Sequence, residues 1–227
     1  MVIRGLGPSL AEKGISHVLA DPTLDLRNSA QTSVFTNDNW RDTQQSQIEG
    51  TAFQPTNDLE AMIVVTLDPG AYTAILAGKN GGTGVGLIEI YDADATHTSE
   101  LANISTRGLV QSGENVMIGG FILGGDAQNT GMVIRGMGPS LTAFGISNAL
   151  VDPTLEVHDE NGALVVMNDN WADDPVSAGE LTARLVAPTS SLEAAIYMTL
   201  SPGMYTAILA GKNGEVGVGL VEIYNVH

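Results

Sequence analysis

Two short tracts bring Asn and Asp side-chain oxygens together beside a tryptophan. One reads Asn37-Asp38-Asn39-Trp40-Arg41-Asp42, the other Asn168-Asp169-Asn170-Trp171-Ala172-Asp173-Asp174. Calcium takes roughly six to eight hard oxygen ligands from carboxylates, amide carbonyls, backbone and water. Asn37, Asp38, Asn39 and Asp42 are therefore a candidate calcium donor set, as are Asn168, Asp169, Asn170 and Asp173. Glu60 and Glu193, or Asp21 and Asp152, are the candidate ligands from outside the tract. The spacing is not that of an EF-hand, which needs D-x-[DN]-x-[DN]-G and a later Glu. The competing reading is turn chemistry, in which Asn and Asp bond the nearby backbone.

Trp40 and Trp171 close these tracts. Each is a candidate stacking platform for a sugar ring, and the alternative is a loop anchor over a core. Arg4 and Arg135 stand in apolar strands. They read either as structural ion pairs, with Glu89 and Glu222 or with Asp21 and Asp152, or as binders of a ligand carboxylate. Lys79 and Lys212 lie in Gly-Lys-Asn-Gly loops that lack P-loop spacing and read as flexible hairpins.

Nucleophilic chemistry finds little support. Ser9 and Ser140 sit in Gly-Pro-Ser-Leu, but the nucleophile elbow needs a glycine where Ala11 and Thr142 stand. The histidines are His17, His97, His158 and His227, and none recurs in the other copy of the repeat described below. That excludes a duplicated Ser-His-Asp site and leaves a single-copy one open. No His-x-x-x-His pair suits zinc. Glu60/Glu193 and Glu89/Glu222 could make paired acids for glycosidic cleavage, but strand-end glutamates are more often solvated or salt-bridged.

The elements that must hold these residues come in two copies. Residues 1–10 read MVIRGLGPSL and residues 132–141 read MVIRGMGPSL. At an offset of 131, 22 of the first 40 positions are identical. The second copy then gains two residues, and from Leu59 onward 25 of 34 positions match at an offset of 133. The period is that of a domain, not of a solenoid repeat. Residues 98–131 precede the second copy and have no counterpart before the first. The first copy opens inside a strand at Met1, and the matching residue, Met132, is also methionine. The sequence thus reads as beginning at an internal methionine of a longer array, which makes the lack of a signal peptide uninformative.

Strand signals dominate, as short Val- and Ile-rich runs bounded by Gly, Pro, Asn and Asp. The first copy gives strands at 1–5, 23–27, 33–36, 61–67, 71–78 and 85–91. The second gives 132–136, 154–158, 163–167, 194–200, 204–211 and 218–224. Residues 101–123 read as a hairpin, and Asp159-Glu160-Asn161-Gly162 as a tight hairpin turn. Helix is scarce: Gly-Pro-Ser-Leu could start a turn or two, stopped at Gly14 and Gly145. The expected fold is all-β: two tandem antiparallel β-sandwich, jelly-roll-like repeats. The first spans 1–95 and lacks its N-terminal hairpin; the second spans 96–227 and is complete. The first then exposes unpaired edges and some core. Its expected cover is a second copy of the chain or a neighbouring repeat.

The chain has 227 residues, 9 Lys+Arg against 26 Asp+Glu, a net charge of −17 and no cysteine. Such acidity argues against nucleic acid, whose binding rests on Lys and Arg at phosphates, and against anionic membrane surfaces. No apolar run is long enough for a membrane span. Without cysteine there is no disulfide frame and no thiolate chemistry.

The stretches DPTLEVHDENGALVVMNDNW, EAAIYMTLSPGMYTAILAG and VGLVEIY resemble bacterial pre-peptidase C-terminal domains and related β-sandwich repeats of large secreted bacterial proteins. The resemblance covers about 75 residues of each copy and omits RGxGPSL and 98–131. It implies a non-catalytic accessory module at the cell surface or outside the cell, sometimes calcium-associated. The leading expectation is a module for adhesion, spacing or anchoring, with calcium as its candidate stiffening ion and a glycan or cell-surface component as its candidate partner. A carbohydrate-binding module is the alternative, and a polysaccharide or ester hydrolase with a site in one copy ranks third.

Overall fold

A computed structural model of the chain describes residues 1–93, 101–124 and 129–226. The chain divides into two compact units, Met1–Glu100 and Leu101–His227. The boundary expected between residues 95 and 96 lies outside the described residues, as do His97 and His227.

In unit 1 the strands are β1 (Val2–Leu6), β2 (Pro22–Asn28), β3 (Ser33–Asn37), β4 (Ala61–Val64), β5 (Tyr72–Gly78) and β6 (Leu87–Tyr91). They form two antiparallel sheets, ordered β4-β1-β6 and β3-β2-β5. Inward residues alternate with outward ones, as a sandwich requires: β2 buries Leu24 and Leu26, and β1 turns Ile3 toward them.

Unit 2 repeats this plan with two more strands. Its strands are β7 (Asn103–Val110), β8 (Met117–Leu123), β9 (Thr130–Met137), β10 (Pro153–Asp159), β11 (Leu164–Asn168), β12 (Ala194–Leu200), β13 (Gly203–Gly211) and β14 (Gly217–Asn225). The sheets are β12-β9-β14-β7 and β11-β10-β13-β8, also antiparallel.

The β-sandwich expectation holds, and three of its details change. Residues 101–123 form an arch, not a hairpin. β7 pairs with β14 in one sheet and β8 with β13 in the other, so the segment closes one side of the sandwich. The Gly-Lys-Asn-Gly loops are also crossings, since β5 pairs with β2 and β6 with β1. Turn residues reverse a chain, and they do not choose the sheet its next strand enters. Asp159–Gly162 is a true hairpin turn, but only Gly162 has a positive φ, 76°. The Asp159 carboxylate pins it by accepting from Asn161 N–H at 2.9 Å and Ala163 N–H at 2.9 Å.

Helical segments fill the stretch where the copies differ in length. Unit 1 has α1 (Trp40–Thr43) and α2 (Gln45–Ile48), and unit 2 has α3 (Pro175–Ala183). The start of α3 is written in Asp174-Pro175: the Asp174 side chain accepts from Val176 N–H at 3.0 Å, and proline suits the first helical turn. These helices cover the outer face of the β1 or β9 sheet. Trp40 and Ile48 pack on Val2 and Met62, and Leu181 packs with Val133 and Ala195. Each unit therefore has three layers.

Candidate functional site

The recurring motifs converge on one place in each unit, beside the end of β1 or β9. Glu60 and Glu193 are each fully buried just before β4 and β12. Glu193 Oε1 accepts from Gly138 N–H at 3.0 Å, Ser140 N–H at 3.0 Å and Ser140 Oγ–H at 2.6 Å. Glu60 Oε1 accepts from Gly7 N–H at 3.4 Å, Ser9 N–H at 3.0 Å and Ser9 Oγ–H. Three bonds to Oε1 offset part of the cost of burying each carboxyl group, whose Oε2 is buried without a partner. The Gly-Pro-Ser-Leu turn is thus a cradle for an internal anion. Only glycine fits its first position, because a Cβ on Gly7 would stand 2.0 Å from Leu19 O, and one on Gly138 would stand 2.3 Å from Leu150 O.

The same glutamates receive the Asn-Asp-Asn-Trp tract. Trp40 N–H donates to Glu60 O at 2.8 Å, and Trp171 N–H to Glu193 O at 2.8 Å. The Asn37 amide is engaged at both ends, donating to Asn39 O at 3.0 Å and accepting from Met62 N–H at 2.9 Å. Asn168 does the same with Asn170 O at 3.0 Å and Ala195 N–H at 3.0 Å. Asn39 donates to Asp42 at 2.9 Å, and Asn170 to Asp173 at 3.1 Å.

The remaining acids of the tract meet a lysine. Lys79 Nζ lies 2.6 Å from Asp38 Oδ2 and 3.7 Å from Asp21 Oδ2. Lys212 Nζ lies 2.6 Å from Asp169 Oδ2 and 3.5 Å from Asp152 Oδ2. The hydrogen bond to Asp38 or Asp169, followed by the charge of Asp21 or Asp152, holds each ammonium above its ordinary pKa. The Gly-Lys-Asn-Gly loops, read from sequence as flexible hairpins, are thus tied down. In this arrangement the Asn37 and Asn168 amides serve the backbone, and an ammonium stands between the carboxylates of Asp21 and Asp38 or of Asp152 and Asp169. Among the described residues, no group of three or more His, Asp or Glu is arranged to hold a metal.

Trp40 corrects the sugar-platform reading. It is 0% exposed, with the Arg41 guanidinium 4.1 Å from its ring centroid, so neither face is open to a ligand. Trp171 is half-buried and donates through Nε1 to Ser190 O at 3.1 Å. Arg4 and Arg135 sit opposite Glu89 and Glu222 across the strand pairs and form ion pairs with them. Each also donates to the loop that returns from the helical layer, Arg4 to Phe53 O at 3.0 Å and Arg135 to Val186 O at 2.8 Å. Both arginines fasten that layer to the sheet. Neither is free for a ligand carboxylate.

The carboxylate cradle is what sequence reasoning missed. Ser9 bonded to Glu60 has the members of a nucleophile and base, but the carboxylate is sealed. Two open surface depressions lie elsewhere: one of about 510 Å³ is lined by His158, Asp159, Met204 and Ile208, the other by Met1, Gln47 and Val64. The signal was present. Gly-Pro-Ser-Leu recurs at offset 131 and Leu-Glu at offset 133, so both survive the insertion between them.

No protein-family model matches the chain, and no curated protein does. Among solved structures, the chain is similar to the pre-peptidase C-terminal domain of a collagenase from Bacillus anthracis, at 12% identity and a TM-score of 0.33. That likeness covers 53% of this chain and 88% of the domain. The VP2 subviral particle of infectious bursal disease virus aligns over 99% of this chain and 56% of its own, at 8% identity and a TM-score of 0.18. At these scores neither likeness carries an argument, and the sandwich assignment rests on the strand pairing itself.

Proposed function

We propose that the chain is a non-catalytic β-sandwich repeat module that works as a spacer or anchoring segment of a protein at the cell surface or outside the cell. One observation carries this reading. The charged side chains that recur between the copies are engaged in holding their own unit together: Glu60 and Glu193 in the cradle, Arg4 and Arg135 under the helical layer, Lys79 and Lys212 on the acidic tract. Duplicated catalysis would keep at least one recurring polar group facing a cleft. The acidity suits a soluble, exposed array. No helix is long and apolar enough to cross a membrane.

The test is a glycan array together with a panel of ester and polysaccharide substrates. Neither sugar binding nor turnover is expected. Turnover abolished by Ser140→Ala, or sugar binding abolished by Trp171→Ala, overturns the reading.

Calcium is the second reading, favoured by one feature. Asp21 Oδ1, Asp38 Oδ1 and Asn39 Oδ1 are buried without a hydrogen-bond partner. Lys79 stands against it. A thermal melt with millimolar calcium and with chelator decides, because a ligand of the native state raises the melting point. The expected result is no shift.

A further inference from the structure

Unit 2 shows how this sandwich closes, and unit 1 displays the same closing surface uncovered. In unit 2 the arch β7–β8 lies on the free edges of β14 and β13. The matching strands of unit 1, β6 and β5, each end their sheet. Tyr72–Gly78 and Tyr205–Gly211 are both YTAILAG, and residues 84–91 differ from 217–224 only in Ile88 for Val221. An edge of unpaired N–H and C=O groups is a template for another strand.

The apolar side of the template is also present. Under the arch Leu209 is 0% exposed, Val221 1% and Ile223 4%. Their counterparts Leu76, Ile88 and Ile90 are only half-buried, and Gly84 and Gly86 are exposed where Gly217 and Gly219 are buried. The arch covers its strands with Val110, Met117 and Phe121. Phe121 stacks on Tyr205 with centroids 5.5 Å apart, and unit 1 keeps the matching ring, Tyr72. A Cβ on Gly119 would stand 3.0 Å from Val221, so the segment must be small at that position.

We propose that the open edges of β5 and β6 in unit 1 are docking edges for a two-stranded β-arch of the Asn103–Leu123 type. The repeat fixes the register. By the pairs seen in unit 2, the first strand sets its Ile104, Thr106 and Gly108 equivalents opposite Ile90, Ile88 and Gly86. The second sets its Met117, Gly119 and Phe121 equivalents opposite Leu76, Ala74 and Tyr72. A second copy of this chain is disfavoured as donor. Its single arch would leave one site to fill a nearly identical one, with little net gain and one sandwich left open.

The probe is a synthetic peptide of residues 101–124, added to the full chain and followed by hydrogen exchange. The expected result is binding with new protection confined to 72–78 and 87–91. Peptides carrying Gly119→Val or Phe121→Asp should bind at least tenfold more weakly. Because an apolar peptide can self-associate, a second form fuses residues 101–131 ahead of Met1. The unit 1 melting transition should then rise toward that of unit 2. Failure to gain protection with the peptide and to raise the transition with the fusion overturns the proposal. So does a chain that is dimeric alone with 72–78 and 87–91 already protected, which would make a second copy the cover. Neither outcome bears on the non-catalytic reading, which the substrate panel tests separately.

Discussion

Leu76 and Leu209 occupy the same place in the same ten-residue run, YTAILAGKNG, yet one is half-buried and the other sealed. The backbone around them is also alike: β2 pairs β5 in the register by which β10 pairs β13. What differs is the arch, a segment remote in sequence from both residues. Burial here is a property of closure, and local sequence carries it only as a capacity. The carboxylate cradle behaves in the opposite way. Its donors and acceptor all lie inside the repeated sequence, so it forms alike in both units.

This contrast gives an ordered set of tests. The largest effect should come from the cradle and should not distinguish the units. Glu60→Ala and Glu193→Ala each leave three donors of the cradle unpaired, one buried and two half-buried, and each should destabilise its unit by about 4 kcal/mol in urea denaturation. A much smaller effect in unit 1 would mean that the open side loosens the cradle as well. Next comes the core pair. Leu209→Ala should cost about 3 kcal/mol and Leu76→Ala about half that, because an open site relaxes and leaves less of a cavity. Equal costs would mean that unit 1 is already covered in solution.

The hairpin after β2 supplies a smaller, opposite difference. Gln31 has φ 61° at the place where unit 2 has Gly162 at 76°. Gln31→Gly should stabilise unit 1 by roughly 0.5–1 kcal/mol, and Gly162→Ala should destabilise unit 2 by about 1 kcal/mol.

The smallest effect is a pH dependence present in unit 2 alone. His158 bonds Glu156 at 2.8 Å, where unit 1 has Arg27 on Asp25 at 2.7 Å. The bond to Glu156, then the contact with Gly162 O, holds the His158 pKa above its ordinary 6.5. A raised folded-state pKa gives stability that is full below about 6.5 and is lost as pH rises through the folded value. Between pH 5 and pH 8 the unit 2 melting point should therefore fall slightly relative to unit 1. His158→Arg should abolish the difference.

The sequence made the sandwich legible because the alternation of Leu24 with Leu26, or of Leu155 with Val157, is a local pattern tied to a period of two. It also showed that the stretch holding β7 and β8, residues 98–131, lies between the two copies and occurs once. The arch was misread as a hairpin because Ser-Gly-Glu-Asn marks a reversal, and sheet choice depends on long-range pairing. Asn37 and Asp38 look alike as oxygen donors on paper. Only the fold shows that Met62 N–H takes one and Lys79 takes the other. Trp40 was ambiguous for the same reason, because an indole that anchors a layer and one that stacks a sugar are written identically.

The two fastenings of the helical layer have a consequence for how such modules diversify. In unit 2 the layer begins where Trp171 N–H meets Glu193 and ends where Arg135 holds Val186. In unit 1 it begins at Glu60 and ends at Phe53, with two fewer residues in the stretch and two short helices in place of one. The ends are identical in kind while the contents have been rewritten. This stretch is a cassette: new sequence, including a grafted recognition loop, can be exchanged there without renegotiating the sandwich beneath.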